Sequence, residues 1–65
     1  MQLEELMQLV DEKKAARIMD RGLQTLRNDR SMRRGVPYVK IGKSVRYSLE
    51  DIRRYLEQHR IDTEE

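Results

Sequence analysis

The stretch Pro37-Tyr-Val-Lys-Ile-Gly-Lys-Ser-Val-Arg-Tyr47 limits the fold more than any other part of this 65-residue chain. Pro37 fixes its own φ and pushes Val36 towards extended geometry. Val39, Ile41, Val45 and Tyr47 are β-branched or aromatic, and they lie on either side of Gly42-Lys43-Ser44, a glycine-containing connection. That pattern predicts a β-hairpin. The sequence on both sides of it carries helical spacing instead, so the hairpin has to be accommodated among helices.

Before the hairpin, Leu3, Leu6, Met7 and Val10 stand at i, i+3, i+4 and i+7, which predicts a turn or two of helix. Residues 1–8 read as a leader over the core or as a contact with a neighbouring chain, with Leu9 and Val10 closing onto the core. Asp11 can cap the next helix by accepting first-turn amide hydrogens, and Glu12 adds charge where the helix dipole favours it. Lys14 stands where a complete capping box would carry Glu or Gln. Ala15, Ala16, Ile18 and Met19 supply a small-then-large apolar face that another helix can cross closely. Asp20-Arg21-Gly22 breaks the pattern, since Asp tolerates the left-handed conformation and Gly adopts it freely. A second helix is expected from Leu23 to Arg30 or Ser31, with Leu23 and Leu26 inward and Gln24, Thr25, Arg27 and Asn28 outward. Ser31–Gly35 is a basic connection. After the hairpin, Ser48 caps a last helix with an apolar stripe of Leu49, Ile52, Tyr55 and Leu56, and residues 61–65 are expected to fray.

A chain this short buries only about 60% of the surface its unfolded form exposes, so its core is small. There is no cysteine to staple it and a single histidine, His59. Disulfides and multi-histidine metal sites within the chain are therefore excluded. No run of residues approaches the ~20 apolar positions a spanning helix needs, and the expectation is a soluble, cytoplasmic protein with no membrane partner. The net charge of +2 conceals an asymmetry. From Lys13 to Arg60 the chain holds all fourteen basic residues against five acids, a balance of +9 between acidic ends. That is the footprint of a polyanion binder.

The second helix and the hairpin carry the residues suited to such a partner. Gln24 and Asn28 are four apart and so share a face, with Thr25 and Arg27 beside them. Gln and Asn can pair bidentately with adenine, Arg with guanine, and a Thr methyl can touch that of thymine. Arg21, Arg30, Arg33 and Arg34 are candidate phosphate contacts. Lys40, Lys43, Ser44 and Arg46 surround the hairpin turn. Asp29 runs against this pattern and is expected to turn aside and pair with Arg33 or another arginine nearby. Tyr38, Tyr47 and Tyr55 have the spacing of strand and helix packing and read as core or near-core residues. No nucleophile with a base, no phosphate-cradling glycine loop and no metal-spaced acid cluster is present, so neither enzymatic activity nor a cofactor or small-molecule substrate is expected.

Taken together, Leu9–Met19, Thr25-Leu-Arg-Asn28, Pro37–Tyr47, Leu49-Glu-Asp-Ile52 and Tyr55-Leu56 follow an order and spacing that resemble the excisionase-type helix-turn-helix domain of the MerR-like winged-helix superfamily. The resemblance covers most of the chain. It implies one domain over residues 1–65, mainly α with a small β-hairpin: a helix-turn-helix, a two-stranded wing and a C-terminal helix. It further implies that the second helix enters the major groove through Gln24, Thr25, Arg27 and Asn28, while the wing touches backbone or minor groove through Lys43, Ser44 and Arg46. The implied role is an excisionase, or recombination directionality factor, of a phage or mobile element. Such a protein binds double-stranded DNA side by side at repeated sites, bends it, and directs an integrase towards excision. A prophage-type transcriptional regulator and a protein-interaction module using Leu3, Leu6 and Met7 are the alternatives. The chain departs from the family in carrying Gly22 where a capping Ser is frequent, Asp20 where Gly is frequent, and Asp29 where an aromatic residue is common.

Overall fold

The computed structural model describes residues 8–63. In chain order these form strand β1 (Leu9–Asp11), helix α1 (Glu12–Ile18), helix α2 (Leu23–Ser31), strands β2 (Val39–Ile41) and β3 (Ser44–Ser48), and helix α3 (Leu49–Gln58). The strands make one antiparallel sheet in the order β1-β3-β2. The fold of the described residues is thus three helices with a three-stranded sheet, a mixed α/β arrangement. Leu3, Leu6 and Met7, read above as a leader helix or partner surface, lie outside the described residues, as do Glu64 and Glu65.

β1 corrects the expectation of a two-stranded hairpin in a mainly α chain. Leu9 and Val10 do not continue a helix: they pair with Ser48 and Tyr47 of β3. Two local facts favour this. Asp11 caps α1 from an extended backbone, accepting from the Lys14 amide at 2.8 Å, so the chain before it is already extended. β3 also has a second edge open to pairing, and Val10 sets its side chain against buried Tyr47 there. Short propensity signals yield readily to such tertiary pairing. The hairpin itself is as expected but tighter, because Ser44 pairs with Ile41 and only Gly42-Lys43 remain as the turn. Gly42 takes φ +61°, which a two-residue hairpin of this kind asks of its first residue.

The core gathers Val10, Ala15, Ala16, Met19, Leu26, Val36, Tyr47 and Ile52, with Leu23, Val45, Leu49 and Tyr55 packed around it. The small residues Ala15 and Ala16 let α2 approach α1, as expected from the sequence. Ile18 and Leu56 were assigned to apolar stripes but stand 42% exposed each, at the edges of narrower stripes than predicted. Tyr38 is likewise not a core residue, at 43% exposure.

Both α1 and α2 end in a residue with left-handed backbone. Asp20 (φ 54°) follows α1, and the Arg21 and Asp20 amides return to the Ala16 and Arg17 carbonyls at 2.9 and 3.1 Å. Arg33 (φ 58°) follows α2, and the Arg34 and Arg33 amides return to Asp29 and Arg30 at 2.9 and 3.0 Å. These are Schellman closures, in which glycine is the usual left-handed residue. Asp20 was anticipated there. Arg33 was not, since arginine carries no local signal for that conformation; Gly35, two residues on, is needed where a Cβ would sit 3.1 Å from that of Asp29. Arg33→Gly is therefore expected to stabilise the protein by about 0.5–1 kcal/mol, raising Tm by a few degrees in a thermal melt.

Candidate nucleic-acid interface

α2 presents its outer face beside the hairpin, and between them runs an open groove of about 520 Å³. Its walls bring Arg27 and Arg30 of α2 together with Lys43, Ser44 and Arg46 of the hairpin, and with Asp11, Glu12 and Lys13 from the start of α1. Five cations face two carboxylates there. Helical spacing alone puts Arg27 on a helix and the glycine turn puts Lys43, Ser44 and Arg46 on a hairpin; the resemblance implies that the two act together, but nothing in the spacing itself brings them to one groove. The β1-β3-β2 sheet does so by fixing the hairpin against the helices. Lys40, on β2, is exposed but does not line this groove.

Gln24 and Asn28 do share an exposed face: Gln24 Nε2 donates to Asn28 Oδ1 at 3.1 Å. Thr25 is half-buried, nearer to Gly22 than to open solvent. Gly22 caps α2 with no side-chain hydrogen bond, so the first turn of the helix has amide hydrogens that no cap residue engages.

The arginines differ sharply in their surroundings. Arg27 Nη2 and Nε donate to the two oxygens of Glu12 at 2.7 and 3.3 Å. Arg30 is 20% exposed and acts as an internal tie: its Nη1 reaches Glu12 at 3.3 Å and the hydroxyl of buried Tyr47 at 3.0 Å, and its guanidinium lies over the Tyr38 ring. That ordering explains why Tyr38 stays at the surface, where it also tilts against Tyr47. The Arg27 hydrogen bond and the charges of both arginines hold the Glu12 carboxyl below its usual range, against the smaller opposing effect of its partial burial. A lowered folded-state value makes this tie fully present above the ordinary glutamate pKa. It fades as the pH falls through the lowered value.

Arg30, Arg33 and Arg34 line a second groove with Gly35, Val36, Pro37 and Tyr38, and no carboxylate lines it. Asp29 turns aside as expected, but its partners are Arg34 (3.1 Å) and Arg21 (3.7 Å), with Arg33 left out. These ties close the chain after α2. Among the described residues, Lys13, Lys14, Arg17, Arg33, Lys40, Lys43 and Arg46 have no carboxylate within ion-pair distance. Arg53, Arg54 and Arg60 of the C-terminal region all do, through Glu50, Asp51 and Glu57. Unbalanced positive charge accordingly collects towards α1 and the hairpin, away from α3.

Lys13 and Glu12 are groove residues that the sequence reading did not assign. Neither has a periodic signature; the only hint was an acid at a helix start ahead of an arginine-rich second helix. Among the described residues no three His, Cys, Asp or Glu side chains converge as a metal site, and no helix is long and apolar enough to cross a membrane. Comparisons with models of known families, with curated proteins and with solved structures find no match.

Proposed function

We propose that this chain is a winged helix-turn-helix protein that binds double-stranded DNA in a sequence-specific manner, with α1 and α2 as the helix-turn-helix and the β2-β3 hairpin as the wing. The observation that carries this reading is the groove in which Arg27 of α2 meets Lys43, Ser44 and Arg46 of the hairpin. A recognition helix and a wing have to reach one duplex together, and a shared basic groove is what that demands. Gln24, Asn28 and Arg27 are the base readers, with Thr25 at the margin. Arg33, Arg34, Lys43 and Arg46 contact phosphates, positioning the protein without reading sequence. Arg21 and Arg30 support the interface from behind through Asp29, Glu12 and Tyr47.

Within that class the best-supported role is an excisionase: several copies side by side bend a site so that an integrase excises the element. Bending costs on the order of 1–6 kcal/mol, which several copies bound side by side, or a contact with the integrase, would offset. The test is selection from a randomised duplex pool, followed by gel-shift titration on the selected sequence and on a scrambled control. Laddered shifts on the selected duplex alone support the reading, and equal shifts on both overturn it. Arg27→Ala is expected to lose about 1–3 kcal/mol on the selected duplex and far less on the control. Equal losses on the two would make Arg27 a phosphate contact and not a reader.

A further inference from the structure

A carboxylate is out of place in a groove meant for phosphates, yet Glu12 sits in one. Both ion pairs that join α1 to α2 among the described residues end on it, at Arg27 and Arg30. Its side chain is only 23% exposed, so it is built into the groove and not merely nearby. The geometry at Arg27 is informative. Glu12 takes the guanidinium side-on, through Nε and Nη2, as a two-pronged pair. A guanidinium has five N–H donors in one rigid plane. Gripping that edge fixes the plane and leaves the terminal Nη1/Nη2 edge without a protein partner among the described residues. That free edge is the one that pairs with guanine O6 and N7.

We propose that Glu12 is the specificity-setting residue of the interface, acting in two ways at once. It positions the free edge of Arg27 for base readout, and its negative charge opposes the indiscriminate approach of phosphates to the groove. Specificity is a difference of affinities, and a repulsive element directed at the wrong partners is one way to create it. The proposal rests on the reading of Arg27 as a base reader. Glu12 is a positioning residue: it touches the protein and not the base.

The experiment measures affinities of wild type, Glu12→Gln, Arg27→Ala and the double variant for the selected duplex and for scrambled duplex, at low and moderate salt. Glu12→Gln keeps the shape of the side chain and removes its charge. It is expected to bind scrambled duplex several-fold tighter and the selected duplex no tighter, so that the ratio of the two affinities falls about tenfold. The salt dependence on scrambled duplex should steepen by about one phosphate as the released arginine finds one. A variant that is merely less folded loses affinity for both duplexes by the same factor and leaves the ratio alone. In the double variant, the loss of discrimination should be clearly smaller than the sum of the two single losses, because the positioning part of Glu12's action passes through Arg27 while its charge still repels phosphates. An unchanged ratio in Glu12→Gln, or independent losses in the double variant, overturns the proposal. A wild-type protein that does not discriminate between the duplexes at all overturns the base-reading assignment beneath it.

Discussion

Replacing Lys43 and Arg46 together by glutamate is expected to weaken duplex binding on the order of 100-fold at about 50–200 mM salt. It should also flatten the salt dependence by roughly two phosphates, from a slope of about −3 to −5 for a footprint this small. Both side chains line the groove beside α2, and neither has a carboxylate within ion-pair distance among the described residues. Neither charge is neutralised by an ion pair there, although Arg46 Nη1 also donates to the Val45 carbonyl at 2.9 Å. The second substitution puts a carboxylate across from Asp11 on β1, and like charges directly opposed on neighbouring strands cost up to about 1 kcal/mol. A thermal melt recorded beside the binding titration separates that modest loss from the loss of DNA contacts. An affinity unchanged by the pair of substitutions would remove the hairpin from the interface.

Ile52→Ala is expected to be the most damaging single truncation of a side chain in α3. Ile52 is 2% exposed, and α3 reaches the core mainly through it, aided by Leu49 and Tyr55. Removing a buried isoleucine down to alanine costs about 2–5 kcal/mol, partly in lost burial and partly in the cavity left behind. A domain of this size holds only about 3–10 kcal/mol in total, so the variant should melt about 10 °C or more below wild type, or fail to fold at ambient temperature. Leu56→Ala, four residues on and 42% exposed, is the matched control and should change Tm by only a few degrees. Equal effects at the two positions would mean that α3 packs through a different face.

Those two predictions draw on unequal shares of the sequence. The hairpin could be read in advance because Gly42 and the β-branched residues around it are local signals, and local signals fix local structure. Ser48 could be recognised as the cap of α3 for the same reason: its hydroxyl accepts from the Glu50 and Asp51 amides. β1 could not. Its three residues acquire strand geometry only by pairing with β3 across 35 or more positions of chain, and in isolation Leu9 and Val10 fit a helical pattern equally well. The candidate site divides along the same line. That Gln24, Arg27 and Asn28 share a face follows from helical periodicity alone. That Arg27 is gripped by Glu12, and that Arg30 is tied to Tyr47, depends on how α1, α2 and the sheet are set against one another, which no spacing rule contains. Asp29 lies between the two cases: an acid among arginines had to pair, but the Schellman closure at Arg33 decides that Arg34 takes it.

The central claim is that one face of this protein, made of α2 and the hairpin, meets duplex DNA. The most direct test is a two-dimensional amide NMR titration of the 65-residue chain with a selected duplex. We expect shifts to concentrate in Leu23–Gly35 and Lys40–Arg46, with Glu12 and Lys13 responding as Arg27 takes up a base beside them. Arg53, Arg54 and Glu57 on the outer side of α3 should stay unmoved. Shifts centred on that side of α3, or none at saturating duplex, would contradict the account.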